Sequence, residues 1–212
     1  MVAMATLSVN VLGRDSQTED EARRFWTVLR QTREEAELQG LNIGTYFAAE
    51  DYEFLRLDPL TNLWIPIADD KLYATRSLPE GLRYRMWLDG REIVMKPQLP
   101  ERKDESKDED ELSDEEKKEA NLPQALRTID RSEAKRAQEN PPQLIVFSNG
   151  DIMPFELQIE RERQPALWRI IGTADNDLRL EQRSKSSEDW QIVAQTNPPP
   201  VDEREAKKNA RK

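Results

Sequence analysis

Three groupings of oxygen-bearing side chains are the first candidates for chemistry in this chain. Asp69-Asp70 and the acidic stretch Glu50-Asp51-Tyr52-Glu53 set carboxylates side by side, the raw material for two-carboxylate acid–base hydrolysis. Asp175-Asn176-Asp177 offers three adjacent donors to a hard cation. All three fall at expected turns, where acidic and amide residues recur because their side chains satisfy nearby backbone N–H groups. The triplet reads as a hairpin turn rather than a closed oxygen cage. Residues 108–116, "DEDELSDEE", lack the glycine and spaced ligands of a calcium loop. Histidine and cysteine are absent, which removes Ser-His-Asp and Cys-His nucleophilic catalysis, thiolate and imidazole zinc sites, and imidazole proton shuttles. No catalytic residue, metal site or cofactor is therefore assigned. Trp64, Trp87, Trp168 and Trp190 are possible stacking platforms for a peptide or sugar. Trp87, on the polar face of its segment, is the best exposed of them, while Trp64 and Trp168 lie in apolar contexts.

The elements that hold these residues follow from composition and periodicity. With 212 residues, 35% charged and 36% hydrophobic, the chain has material for one modest core with appendages. A net charge of -10 and a pI near 4.8 argue against binding phosphate backbones or anionic lipid surfaces.

Residues 1–12, "MVAMATLSVNVL", are nearly uncharged but shorter than the roughly 20 apolar residues of a membrane span. They lack the positive start of a secretory signal, and read as the trailing end of a longer hydrophobic helix. On a helix Val2, Ala5, Val9 and Leu12 lie along one side and Met4, Leu7 and Val11 cover the other, so the segment suits lipid or neighbouring apolar helices on every side. Over residues 18–38 the pattern becomes amphipathic: Ala22, Phe25, Leu29 and Ala36 recur at helical spacing, Trp26 widens the stripe, and Arg and Glu cover the rest. This stripe is expected to pack on a sheet. Thr18 and Glu21 have capping-box spacing, so a start at Thr18 and continuity from upstream are both compatible with the sequence; Gly40 is a natural terminator.

After Gly40 the period changes to two. "NIGTYFA", "YEFLRLD", "LWIPIAD", "LRYRMWL" and "REIVMK" are strand candidates, with Asp89-Gly90 closing a hairpin between the last two. In "YEFLRLD" the apolar phase slips between Phe54 and Leu55, so either both faces are covered or a bulge sits there. "QLIVFS" and "DIMPFELQIERE" flank Asn149-Gly150 as a second hairpin, with Phe155, Leu157 and Ile159 facing one way; "ALWRIIG", "DLRLEQ" and "WQIVAQ" add further strands. Residues 101–119 hold eleven acidic and five basic side chains and one apolar residue, Leu112, too little to offset ordering entropy. Residues 122–138 carry Leu122, Leu126 and Ile129 on one side of a short expected helix. The expected organisation is thus a helix over 1–40, a first part of a β head over 41–97, an acidic insertion over 98–141, the rest of the head over 142–196 and a flexible tail over 197–212. The fold class is α+β, an N-terminal helix followed by a mostly antiparallel, sandwich-like head.

The order of an apolar head, "DEARRFWTVLRQTREEAELQGLNIGTYF", "YEFLRLDPLTNLWIPIADDKLYATRSLPEGLRYRMW" and "FSNGDIMPFELQIERE" resembles the H-type minor pseudopilins of bacterial type II secretion systems, over residues 1–96 and 143–182. The resemblance implies a helical stalk whose first part sits in the inner membrane of a Gram-negative bacterium as a single pass, with the head in the periplasm. It implies a structural, non-enzymatic role near the tip of a pseudopilus that drives folded proteins across the outer membrane. Other minor and major pseudopilins are the implied partners, with no nucleic acid involved. The family's leader, ending in glycine and followed by phenylalanine and a nearby glutamate, has no counterpart in this sequence, so the resemblance implies a truncated chain or a misplaced start. A minor pilin of a type IV pilus uses the same plan and is the alternative reading, beside a soluble periplasmic β-sandwich binding module.

Overall fold

The computed structural model describes residues 3–67, 70–100, 137–161 and 163–197, with side chains in the first helix from Ser16 onward. That helix, α1, is a single proline-free run from Ala3 to Gln39. Of the two starts compatible with the sequence, continuity is the one that forms: Thr18 is buried inside the helix, and Glu21 pairs with Arg76. The helix ends as its glycine requires. Gly40 takes φ 64°, and the Leu41 N–H donates back to the Ala36 carbonyl at 3.2 Å, the six-to-one bond of a glycine-terminated helix.

The first sheet contains β1 (Ile43–Phe47), β2 (Asp51–Leu57), β3 (Trp64–Pro66), β4 (Arg76–Ser77) and β7 (Leu144–Val146). Its order is β3-β2-β1-β7, with β4 also on β2. The second contains β5 (Leu82–Leu88), β6 (Arg91–Glu92), β8 (Phe155–Arg161), β9 (Trp168–Gly172), β10 (Leu178–Gln182) and β11 (Gln191–Gln195). Its order is β11-β10-β9-β8-β5-β6, and every strand pairing in both sheets is antiparallel. Asp89 and Gly90 both take positive φ, 49° and 73°, the geometry of a two-residue hairpin turn.

The phase slip in β2 resolves as a strand covered on both faces. Its register against β1 runs unbroken from Asn-flanked Ile43↔Arg56 to Phe47↔Tyr52, and four successive residues, Tyr52 to Leu55, are buried. Tyr52 and Phe54 meet Phe25 of α1. On the opposite face Leu55 lies beside Gly44, where Pro142 and Trp64 crowd in. A Cβ on Gly44 would stand 2.4 Å from Pro142 Cγ and 3.1 Å from Trp64 Cζ3. Gly44→Ala is therefore expected to cost about 1 to 3 kcal/mol through forced displacement of Pro142, read as a shift in the urea unfolding midpoint with an unchanged slope.

The segment around Asn149-Gly150 departs from a simple hairpin. The turn forms: the Phe147 N–H donates to the Asp151 carbonyl at 2.8 Å and the Gly150 N–H to the Phe147 carbonyl at 2.9 Å, with Gly150 at φ 79°. Its two arms then separate after one bridge, Val146↔Ile152, because β7 joins the first sheet and β8 the second. Met153 and Pro154 carry the chain across, and a proline that cannot donate to a ladder suits that crossing. Phe155, Leu157 and Ile159 do share the buried face of β8.

The acidic residues 101–119, the expected helix at 122–138 up to residue 136, and the tail beyond Asn197 lie outside the described residues.

Candidate functional site

The helix is the element on which the expected site residues converge. Ala22, Leu29 and Ala36 are fully buried and Phe25 is 1% exposed, with Val28 and Thr32 completing the seat. They lie over an aromatic layer: Phe25 meets Phe47 at 5.4 Å, edge to face, and Tyr52 at 5.2 Å, and stacks on Phe54 at 6.5 Å between centroids, arrangements that the ring quadrupoles favour. Trp26 is half-buried at the edge of the stripe and its indole N–H donates to the Leu178 carbonyl at 3.3 Å. The helix thus bridges both sheets.

Polar contacts fix its register. Arg24 donates to the Tyr52 hydroxyl at 2.8 Å, and Glu21, 5% exposed, accepts a charged pair from Arg76. The Tyr84 hydroxyl is buried beside this group; burial pushes its phenol well above the ordinary tyrosine range, with the neighbouring Tyr52 and Glu21 adding to the shift. Further along, Arg33 donates to the Gly150 carbonyl at 2.9 Å and to Thr196 Oγ1 at 3.4 Å. Of the residues expected to form an assembly surface, Met4, Ala5, Leu7, Val9, Val11 and Leu12 lie within α1, and Val2 lies outside the described residues. Among the described residues no helix is long and apolar enough to cross a membrane.

Among the described residues, the carboxylate groupings read from the sequence are dispersed. Asp69 lies outside the described residues, and Asp70 accepts from the Leu72 N–H at 2.8 Å, capping a short turn at Lys71–Tyr73. Asp51 accepts from Ser77 Oγ at 2.5 Å, while Glu53 is buried on the outer side of β2. The triplet splits among separate partners. Asp175 accepts from the Thr173 hydroxyl. Asn176, at φ 61°, ties its turn to the Gly150 turn by accepting from the Ile152 N–H at 3.0 Å and donating to Asp151 Oδ1 at 3.0 Å. Asp177, 1% exposed, accepts at Oδ1 from the N–H of Asn197 at 2.9 Å and from the N–H and hydroxyl of Thr196 at 3.2 and 3.0 Å, and at Oδ2 from Arg179 at 2.8 Å. Burial works against its ionisation, but hydrogen bonds from Arg179, Asn197 and Thr196 outweigh it and hold this carboxyl below the usual aspartate range. This lock on β11 has no local signature in the sequence, since Thr196 and Asn197 lie 19 and 20 residues away.

The outer face of the second sheet is a lattice of lateral pairs: Arg83–Glu160 at 2.7 Å, Arg85–Glu92 at 2.7 Å and Arg169–Glu181 at 2.6 Å. Arg85 lies over Trp87, and Arg169 and Arg183 lie over Trp190. Both tryptophans are therefore covered by guanidinium groups, while Trp168 is 2% exposed in the core and Trp64 is half-buried against Gly44.

No protein-family model matches the chain. It is 24% identical to the type II secretion system protein H of Pseudomonas aeruginosa, over 85% of this chain and 83% of that protein. To the protein of the same name from Aeromonas hydrophila it is 22% identical, over 85% and 82%. Among solved structures, a crystal structure of the minor pseudopilin EpsH from the type II secretion system of Vibrio cholerae superimposes with a TM-score of 0.54 at 23% identity, over 81% of this chain and 98% of that one. A second structure of EpsH gives 0.53. The solved structures share the fold of this chain, an N-terminal helix seated on antiparallel sheets, and the two type II secretion system proteins H are similar to it in sequence over most of its length.

Proposed function

We propose that the chain is a structural subunit of a type II secretion pseudopilus, assembling near its tip in the periplasm beside the other minor and major pseudopilins, with its N-terminal helix engaging the inner membrane and the helices of its neighbours. The observation that carries this reading is how the helix is divided. Among its described side chains, from Ser16 onward, the buried ones run from Thr18 to Ala36, about 27 Å of a helix that extends roughly 55 Å at 1.5 Å per residue. The upstream portion carries, by sequence spacing, Met4, Leu7 and Val11 on one side and Ala5, Val9 and Leu12 on the other, so nearly the whole circumference is apolar, as suits association with lipid or packed helices. Among the described residues of the sequence-level groupings, Asp70 caps a turn, Asp51 accepts from Ser77 and Asp177 pairs with Arg179, so their carboxylates are committed to separate partners. The same dispersal among the described residues supports reading the role as structural rather than enzymatic.

The test is co-purification of the chain, with and without residues 1–17, with the other pseudopilins of its own secretion system. The full chain is expected to retain them, and the shortened form to lose at least about tenfold of that binding, as removal of a buried apolar anchor predicts. Equal retention by both forms would place the assembly energy in the head. Failure of the full chain to bind any of them would sink the pseudopilin reading.

A further inference from the structure

Among the described strands five are outermost in their sheets, and four of them offer a neighbour little to pair with. In the first sheet β4 has two residues, β7 has three with Val146 already bridged to Ile152, and β3 ends on Pro66, which cannot donate to a ladder. In the second sheet β6 is the charged pair Arg91-Glu92. The fifth, β11, carries none of these protections. Its residues, Gln191-Ile192-Val193-Ala194-Gln195, include no proline and no charge. Ile192 is 50% and Val193 38% exposed, and no described strand pairs with the outer side. An edge of this kind is a template for another strand.

Both ends of β11 are held. Trp190 lies against the Arg169 and Arg183 guanidinium groups at 4.3 and 4.7 Å, and the N–H groups of Thr196 and Asn197 are bound by Asp177. The edge is therefore ordered before a partner arrives, which lowers the entropic cost of docking on it. Its register on β10 steps from Leu180↔Ala194 to Glu181↔Ile192, so Val193 is an extra residue. Such a bulge sharpens the local twist, and a strand that follows it must be short.

The direction of β11 decides which neighbours can use it. Gln191 stands in the row of Gln182 and Trp168, where Arg23 of α1 lies over Trp168, while Thr196 receives Arg33. The strand thus advances with the helix, away from the N-terminal end. Antiparallel pairing is the commoner and slightly more stable kind, so beside a stalk running the same way the added strand must run back toward its own stalk's N-terminal end. A second copy fits poorly. Pairing β11 with β11 about a two-fold axis would oppose the two stalks, and the other edge of the same sheet is the charged β6. The chain's own continuation brings Pro198, Pro199 and Pro200, without N–H groups, and then Asp202, Glu203 and Arg204. A charged strand is disfavoured here because its groups would lose water and meet no opposite charge on β11.

We infer that β11 is the docking edge of the head for a different pseudopilin, whose short, proline-free, uncharged strand adds antiparallel to Gln191–Gln195 and covers Ile192 and Val193. This rests on the assembly reading above. It adds the strand through which the head joins its neighbour and the chemistry of the strand it accepts.

A photo-crosslinking residue at position 191 of the full chain, expressed with its own secretion system, tests it. The expected product joins that position to an uncharged segment of another pseudopilin, mapped by mass spectrometry. Ile192→Lys places on the edge the kind of charge that blocks open strands, and should lower the yield roughly tenfold with the melting temperature unchanged. If that variant is less stable, Val193→Lys, at the residue without a partner on β10, takes its place with the same expected loss. Leu60→Lys, at an exposed leucine between β2 and β3, should leave the yield as it is. Co-purification with pseudopilins but no crosslink from position 191 overturns the inference while leaving the assembly reading intact. So does a crosslink to a second copy, to a charged segment or to residues 198–212 of the same chain, and so does a yield that neither lysine on β11 changes. Loss of co-purification altogether overturns the assembly reading and this inference with it.

Discussion

Replacing Phe25 with alanine should lower the stability of the head by about 3 to 5 kcal/mol, the range for deleting a fully buried phenylalanine. At this chain length that corresponds to a fall in melting temperature of very roughly 6 to 20 °C. The size follows from where the ring sits. It contacts Phe47, Tyr52 and Phe54, and these contact Tyr84 and Tyr73 in turn, so its removal opens a void at the meeting point of the helix and the first sheet. Rigid rings held by several edge-to-face neighbours cannot collapse into that void without losing their own contacts. Phe25→Leu, which keeps most of the volume, should recover more than half of the loss. A thermal transition unchanged by Phe25→Ala would mean that the helix is not seated as described.

The second large effect is expected at Asp177. Asp177→Ala leaves the N–H groups of Thr196 and Asn197 and the Arg179 guanidinium without their common acceptor, and should cost about 3 kcal/mol, the upper end for hydrogen bonds to a charged group. Unlike the Phe25 change, the damage should be local first: amides of β11 and its pairs on β10 should lose protection from hydrogen exchange before the rest of the second sheet. The same carboxylate predicts a pH dependence. Its folded pKa lies below the unfolded value, so its contribution is present above the unfolded aspartate pKa of about 4 and is lost as the pH falls through the lower folded value. Asp177→Asn should remove that acid-side decline. An unchanged acid limb in the variant would show that other carboxylates set it.

The sequence was legible where local periodicity decides the structure. The spacing of Ala22, Phe25, Leu29 and Ala36 identifies one helix face because a straight helix returns every 3.6 residues, and Asp89-Gly90 identifies its hairpin because both residues tolerate positive φ. It was not legible where partners are remote. Asn149-Gly150 specifies a turn, but nothing near it shows that β7 and β8 belong to different sheets; that follows from β7 pairing with β1 and β8 with β5. The ambiguity at Phe54-Leu55 could not be settled locally either, since Pro142, which covers the second face, lies across Gly44.

Neither half of the chain completes a sheet by itself. β1 pairs with β7 through Ile43↔Val146, β5 pairs with β8 through Met86↔Leu157, and the tryptophan at the edge of the helix reaches Leu178. In a chain made from its N-terminus, the apolar face of α1 therefore emerges long before the strands β8 to β10 that it touches. Closing such distant pairs costs loop entropy before any contact compensates it, which slows folding, and the waiting helix is the surface on which a partly made chain would aggregate or be held by a chaperone. Ribosome-bound fragments ending before Leu144 should accordingly remain sensitive to protease throughout, with protection of the helix and both sheets appearing together only once the second half is available.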